Sequence, residues 1–258
     1  MLTMHVKLKK KFGQNFLVDK NISRKIFNLV PNNITKIIEI GPGIGHLTDF
    51  LLNDRIKKLT LIEIDSDFLS SLNEKYKKIK YVEIINQDIM NIDLSKYDSD
   101  SIIISNLPYN ISSQVLVKIN NYCHFKIMIL MFQKEFAERL TSNRLNNLNC
   151  LIKCFYEIKK EFNISKNSFI PSPKIESSVL TFKKKDQALL EYNDINLYSI
   201  FKSMIFVNKR KKISTILKKH KFNIDNLTRL DIRAEEYNLN EFVSLYKKLK
   251  PELVNKFG

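Results

Sequence analysis

Lys36-Ile-Ile-Glu-Ile-Gly-Pro-Gly-Ile-Gly-His-Leu-Thr48 decides the fold. Ile37, Ile38 and Ile40 make a short apolar strand that runs straight into Gly41, Gly43 and Gly45. A helix follows through Leu47, Phe50, Leu51 and Leu52. A strand, a glycine turn and a helix open a Rossmann-like α/β unit. Further strands are expected at 59–64, 81–85, 102–104 and 125–132, with a last one at 178–182. Before the first of them, Ile22, Ile26, Leu29 and Val30 repeat at helical spacing, and Pro31-Asn32-Asn33 ends that helix.

The glycine turn also narrows the ligand. A dinucleotide fingerprint needs its third glycine at position 46, which is His46, so the loop matches the G-x-G-x-G form associated with S-adenosylmethionine. That methyl donor carries no phosphates for a helix N-terminus to bind. Its sulfonium, ribose and adenine call instead for close backbone approach, a carboxylate and a polar clamp. Glu63 lies twenty residues beyond Gly43, the spacing at which an acidic side chain meets ribose hydroxyls. Asp88, just past the third strand, has two open readings: a contact to the adenine amine, or a cap on the next turn.

Ser105-Asn106-Leu107-Pro108-Tyr109-Asn110 follows the apolar run Ile102-Ile103-Ile104 and is expected on the loop leaving that strand's carboxyl end. Open α/β sheets keep their ligands there. The Asn106 oxygen and neighbouring carbonyls can accept hydrogen bonds from an exocyclic amine. Pro108 fixes the backbone, and Tyr109 offers a flat face to a nucleobase. The competing reading is an ordinary tight turn.

Lys and Arg total 43 against 27 Asp and Glu, a formal charge of +16 that favours a polyanionic partner. A compositional bias would scatter lysine evenly. Here it clusters at Lys7, Lys9, Lys10 and Lys11, at Lys183, Lys184 and Lys185, and at Lys209, Arg210, Lys211 and Lys212, which points to nucleic acid. The three cysteines, Cys123, Cys150 and Cys154, have neither disulfide nor zinc spacing, so a reducing compartment and no metal are expected. The start has no signal-peptide core, and the longest apolar run, 127–132, is too short to span a bilayer. A cytoplasmic, soluble protein with no membrane association is expected, acting as a monomer.

An amphipathic helix is expected at 133–140 and another at about 145–156. Ser168-Phe169-Ile170-Pro171-Ser172-Pro173-Lys174 then interrupts the pattern. Phe169 reads either as core or as a rigid aromatic presented to a base. Beyond Lys185 the strand pattern stops and the chain reads as helical. The expected domains are 1–185, α/β with an N-terminal arm, and 186–258, a small helical domain carrying the densest basic run.

Seven segments taken in order resemble the rRNA adenine dimethyltransferase family, in its small-subunit branch linked to kasugamycin sensitivity. They are Phe-Gly-Gln-Asn-Phe-Leu from Phe12, Glu-Ile-Gly-Pro-Gly from Glu39, Ile-Glu-Ile-Asp from Ile62, Gln-Asp from Gln87, Asn-Leu-Pro-Tyr-Asn-Ile-Ser from Asn106, Gln-Lys-Glu from Gln133 and Phe-Ile-Pro-Ser-Pro-Lys from Phe169. The resemblance implies a Rossmann-like S-adenosylmethionine-dependent methyltransferase domain and a small C-terminal helical domain. It implies cofactor contacts from Asn15, Leu17, Gly41, Glu63, Asp88 and Asn106, and a catalytic loop of Asn106, Leu107, Pro108 and Tyr109. Tyr109 and Phe169 would sandwich the target adenine, and Lys9, Lys10, Lys11 and Lys209 to Lys212 would hold the RNA backbone.

The implied substrate is 16S rRNA or a small-subunit precursor, dimethylated on adjacent adenosines of its 3′-terminal hairpin loop. Relatives that modify large-subunit RNA, or that serve as non-catalytic RNA-binding or transcription factors, are the alternatives. Two positions depart from the family's pattern: Gln114 stands where proline is expected, and Asn208-Lys-Arg-Lys-Lys212 where an Asn-Gln-Arg-Arg-Lys type sequence is usual. Neither is expected to touch the chemistry directly, but the second could alter RNA docking.

Overall fold

Strands and helices are interleaved up to residue 155 and three strands in succession follow to residue 184 in the computed structural model, which describes residues 15–122 and 124–257. The strands are β1 (Phe16–Leu17), β2 (Lys36–Ile40), β3 (Lys58–Glu63), β4 (Val82–Asn86), β5 (Ile102–Asn106), β6 (Ile127–Gln133), β7 (Tyr156–Ile164), β8 (Phe169–Ile170) and β9 (Ser177–Lys184). The helices are α1 (Lys20–Phe27), α2 (Thr48–Leu51), α3 (Ser66–Tyr76), α4 (Ser112–Tyr122), α5 (Lys134–Thr141), α6 (Asn149–Phe155), α7 (Ile195–Phe206), α8 (Ile213–Lys219) and α9 (Leu239–Phe257).

Seven strands form one sheet in the order β4-β3-β2-β5-β6-β9-β7. β4, β3, β2, β5 and β6 are parallel, and β9 joins β6 antiparallel. The chain steps from β2 outward to β3 and β4, then crosses to β5 on the other side of β2. That reversal leaves a crevice beyond the carboxyl ends of β2 and β5, where such sheets bind ligands. The central strands are largely apolar, as strands buried on both faces are, with Glu39, Thr60 and Ser105 as buried polar exceptions. Ile102, Ile103 and Ile104 are each 0% exposed.

Strand β7 was not expected. Its sequence, Tyr-Glu-Ile-Lys-Lys-Glu-Phe-Asn-Ile, is charged because it is an edge strand, and its middle is mostly exposed or half-buried. The fifth strand begins at Ile127 rather than at 125, and the helix expected at 145–156 is shortened to α6. Asn149 explains the shortening. Its Oδ1 accepts from the Asn146 N–H, and its Nδ2 reaches the carbonyls of Arg139, Ser142 and Arg144, so the preceding turn is spent on these bonds.

Two units are distinct by their internal contacts. One holds the described residues up to Ala137 with Lys159–Lys183, and the other holds Glu138–Ile158 with residues 184–257. A single cut near residue 185 is therefore replaced by a second unit that also draws in 138–158. Its core is aromatic: Tyr198 meets Tyr246 edge-on with ring centres 5.0 Å apart, and Phe201 lies 5.2 Å from Phe242. Among the described residues no helix is long and apolar enough to cross a membrane.

Candidate active site

Four strand ends meet at the carboxyl edge of the sheet and enclose a cavity of about 300 Å³. Asn15, Gly41, Glu63, Asp88, Asn106 and Tyr109 all line it. Ser105 joins the two central contributors: its buried hydroxyl donates to the Ile40 carbonyl at 2.6 Å, so the glycine loop and the Asn106 loop leave the sheet side by side.

Gly43 sits at φ +57°, and a Cβ there would meet the Phe16 ring at 2.7 Å. Phe16 lies edge-on to Phe68 at 5.5 Å, and both rings line the cavity. At Gly45, φ +85°, a Cβ would collide with the Tyr76 hydroxyl. That hydroxyl donates to the Gly45 carbonyl and lies 2.6 Å from Asp49 Oδ1. The loop is thus shaped by two aromatic side chains that the sequence did not mark as site residues. Phe16 could have been found, since it directly follows Asn15.

Glu63 is 5% exposed, and its carboxylate grips the loop from below. Oε2 accepts from the Gly43 N–H at 2.9 Å and Oε1 from the Asp65 N–H at 2.8 Å. Burial raises its pKa, and these backbone donors oppose the rise. Each oxygen keeps a second lone pair for a ligand hydroxyl.

Glu39, one turn of chain before the glycines, is 2% exposed and accepts from Thr48 Oγ1 at 2.7 Å. Burial pushes its carboxyl up to about 8, so it is largely neutral at pH 7. A raised folded-state pKa gives stability that is complete below about pH 4.5 and is lost as pH rises through about 8. Glu39→Gln mimics the neutral acid and should abolish that loss. Its melting temperature should match the parent at pH 5 and exceed it at pH 9, by an amount equivalent to roughly 4 kcal/mol. Parallel melting curves across that range check it, and identical pH profiles would refute it.

Asn106 places its Nδ2 2.8 Å from the Asn15 carbonyl, which it donates to. The amide is thereby oriented, and Oδ1 is left as an acceptor. The Pro108 carbonyl accepts from the Ile111 N–H at 3.2 Å and retains a second lone pair. The Tyr109 hydroxyl lies 2.6 Å from Ser177 Oγ, and burial raises its pKa, so it stays a neutral phenol. Asp88 lines the cavity and also caps the following turn, its Oδ1 accepting from the Met90 N–H at 2.9 Å. Both sequence readings of that residue are compatible with one position.

Other residues named from the sequence lie elsewhere. Leu17 is 3% exposed in the core and is not a cavity residue. Phe169 is 2% exposed and pairs with Leu17 across the short β1–β8 ladder, so its ring belongs to the core and is not presented to a base in this structure. Lys9, Lys10 and Lys11 lie outside the described residues. Lys209, Arg210, Lys211 and Lys212 are exposed in the second unit, with Lys212 Nζ 3.7 Å from Asp231. Gln114, not expected to touch the chemistry directly, lines the cavity. His46, at the end of the glycine turn, has its Nδ1 3.0 Å from the Leu17 carbonyl.

A model of the family described as "Ribosomal RNA adenine dimethylase" matches residues 5–249. The chain belongs to that family. As a ribosomal RNA adenine dimethylase it is 37% identical over 220 residues to the ribosomal RNA small subunit methyltransferase A of Malacoplasma penetrans, covering 82% of this chain and 78% of that one. It is likewise 37% identical to the enzyme of that name from Hydrogenobaculum sp., over 95% of this chain and 94% of the other. A dimethyladenosine transferase from Plasmodium falciparum superposes with a TM-score of 0.78 at 26% identity, over 92% of this chain and 98% of that one. The fold is also that of the 23S rRNA methyltransferase ErmE, with a TM-score of 0.72 at 22% identity over 91% and 99% of the two chains.

The dimethylase is an S-adenosylmethionine-dependent methyltransferase acting on ribosomal RNA adenine. Its cavity fits that cofactor. Among the described residues the lining carries Glu63 and Asp88 and no lysine or arginine, which suits a sulfonium and a ribose better than a pyrophosphate. Gly41, at φ +69°, has open space where a Cβ would stand, so backbone can approach a ligand closely.

Proposed function

We propose that this dimethylase modifies the small-subunit RNA, converting adjacent adenosines of the 3′-terminal hairpin loop of 16S rRNA to their N6,N6-dimethyl forms in the cytoplasm during subunit assembly. One observation carries the chemistry: the Asn106 amide, oriented by Asn15, lines the same cavity as Glu63 and the glycine loop. The names of the relatives at 37% identity support the small subunit.

Glu63 and Asp88 would hold the cofactor's ribose and adenine, with Phe16 and Gly41 bounding it. Bound S-adenosylmethionine supplies an activated methyl group on a sulfonium sulfur. The adenine amine is a weak nucleophile because its lone pair is delocalised into the ring. Asn106 Oδ1 and the Pro108 carbonyl would accept its two N–H groups, which favours a tetrahedral nitrogen and aims its lone pair into the cavity. Tyr109 would stack on the base and restore roughly 1–3 kcal/mol of the cost of unstacking it. Alignment supplies most of the acceleration, and positioning of this kind is worth roughly 7–11 kcal/mol. No strong base is needed, since the nitrogen becomes acidic as it is alkylated. Asn106 orients the amine without keeping its proton, which passes to solvent water as the methyl–nitrogen bond forms and the methyl–sulfur bond breaks.

Lys209, Arg210 and Lys211 would neutralise RNA phosphates. Replacing all three by alanine should weaken RNA binding at every sequence and reduce the slope of log affinity against log salt by about 2. Unchanged salt dependence would remove this loop from the interface.

The assignment is tested by methyl transfer from labelled S-adenosylmethionine to small and large ribosomal subunits that lack the modification. Dimethyladenosine in the small subunit's 3′-terminal loop is expected. Label confined to the large subunit would reassign the substrate, and no label despite cofactor binding would indicate a non-catalytic factor.

A further inference from the structure

Ser177 is fully buried, yet its hydroxyl serves neither the sheet nor solvent. It stands on β9 directly opposite Gln133 of β6, and the next bond beyond that pair joins the Lys134 N–H to the Glu176 carbonyl at 2.9 Å. The backbone at 177 is therefore fixed. Neighbouring Ser178 turns to the opposite face and lies 2.8 Å from Asn163 Oδ1, within the sheet. Ser177 instead reaches the tip of the Tyr109 ring, with 2.6 Å between the two hydroxyl oxygens.

Tyr109 is otherwise held at its backbone, where its carbonyl accepts from Ser112 Oγ at 3.2 Å at the start of α4. A ring fixed at one end can still swing about its χ1 and χ2 angles. A hydrogen bond at the para position fixes the direction of the ring axis. Burial strengthens that restraint, because either hydroxyl left alone would be an unsatisfied buried group.

We propose that Ser177 is a positioning residue for methyl transfer: through its hydrogen bond to the Tyr109 hydroxyl it sets the plane on which the target adenine stacks, and hence where the amine meets Asn106 and Pro108. The inference rests on the reading of Tyr109 as the stacking ring.

Four proteins test it: the parent, Ser177→Ala, Tyr109→Phe and the double variant. Each single change removes the same hydrogen bond while leaving a ring at 109. The single-turnover rate of methyl transfer should fall about tenfold in each, the usual worth of one buried neutral hydrogen bond. The double variant should be no slower than Tyr109→Phe, because the interaction can be lost once only. Affinities for cofactor and for RNA should stay within about twofold of the parent, which a general loss of structure would not allow.

Additive losses in the double variant would overturn the proposal, as would an unaltered rate in Ser177→Ala. RNA carrying 2-aminopurine at the target position separates failure of the underlying reading. If Tyr109→Ala leaves the probe's fluorescence on binding unchanged, Tyr109 is not the stacking ring. If that variant alters it and Ser177→Ala does not, the ring stacks but Ser177 does not place it.

Discussion

Asn106→Ala should reduce methyl transfer to ribosomal RNA by roughly 10²–10³-fold, the usual cost of deleting one preorganised hydrogen-bonding group at a reacting centre. The structure says why this side chain is preorganised. Its Nδ2 is committed to the Asn15 carbonyl, so the amide cannot rotate and Oδ1 holds one direction before any substrate arrives. Alanine removes the acceptor for the amine and leaves the Asn15 carbonyl without that donor. RNA affinity should hardly change, because phosphate contacts supply most of it and Asn106 carries no charge. Cofactor affinity should drop by less than about tenfold, since Glu63 and the glycine loop remain in place. Asn106→Asp is a useful companion. It keeps the size but sets a carboxylate oxygen against the Asn15 carbonyl, so the orienting bond becomes a repulsion and the rate should fall as far. Single-turnover transfer with separate binding titrations reads all three quantities. Turnover of Asn106→Ala within about tenfold of the parent would falsify its role.

The parts legible in the sequence were those whose physics is local. A parallel strand buried on both faces is rich in apolar residues, so β5 was visible from Ile102-Ile103-Ile104 and β2 from Ile37, Ile38 and Ile40, although Glu39 interrupts it. The turn between β2 and α2 was visible because Gly41, Gly43 and Gly45 all adopt positive φ, which other residues rarely tolerate. The parts that were hidden depend on partners distant in sequence. Strand β7 is charged like a loop, and its pairing with β9 makes it a strand. Phe169 offered two readings from its flanking prolines, and its position opposite Leu17 in the short ladder, with 2% of the residue exposed, depends on a segment far away in sequence. Gln114 was set apart only as a departure from the family's pattern, and α4 brings it to the cavity. Segment 138–158 reads as helix either way, and only contacts show that it belongs with the C-terminal helices.

Glu63→Gln should lose more cofactor affinity than an isosteric change suggests, by roughly 10–100-fold. In the parent, the two carboxylate oxygens each accept from a different backbone N–H, Gly43 on one side and Asp65 on the other. A glutamine has one acceptor and one donor end. Whichever way it is turned, its NH₂ faces an N–H, and that donor is left buried and unsatisfied at a cost of roughly 1–3 kcal/mol. If the Gly43 side is the one disturbed, the loop moves against the cavity, and Phe16, already the nearest neighbour of a Gly43 Cβ position, must shift with it. If the Asp65 side is disturbed, the start of α3 loosens instead. Either way a carboxylate is lost from the cavity proposed to hold the cofactor. Binding titration of S-adenosylmethionine and of S-adenosylhomocysteine, which lacks the sulfonium charge, separates these effects. Loss of loop geometry weakens both equally, whereas loss of charge weakens the methylated form more. A third result, full affinity for both, would mean that the Glu63 carboxylate neither shapes the loop nor meets the cofactor.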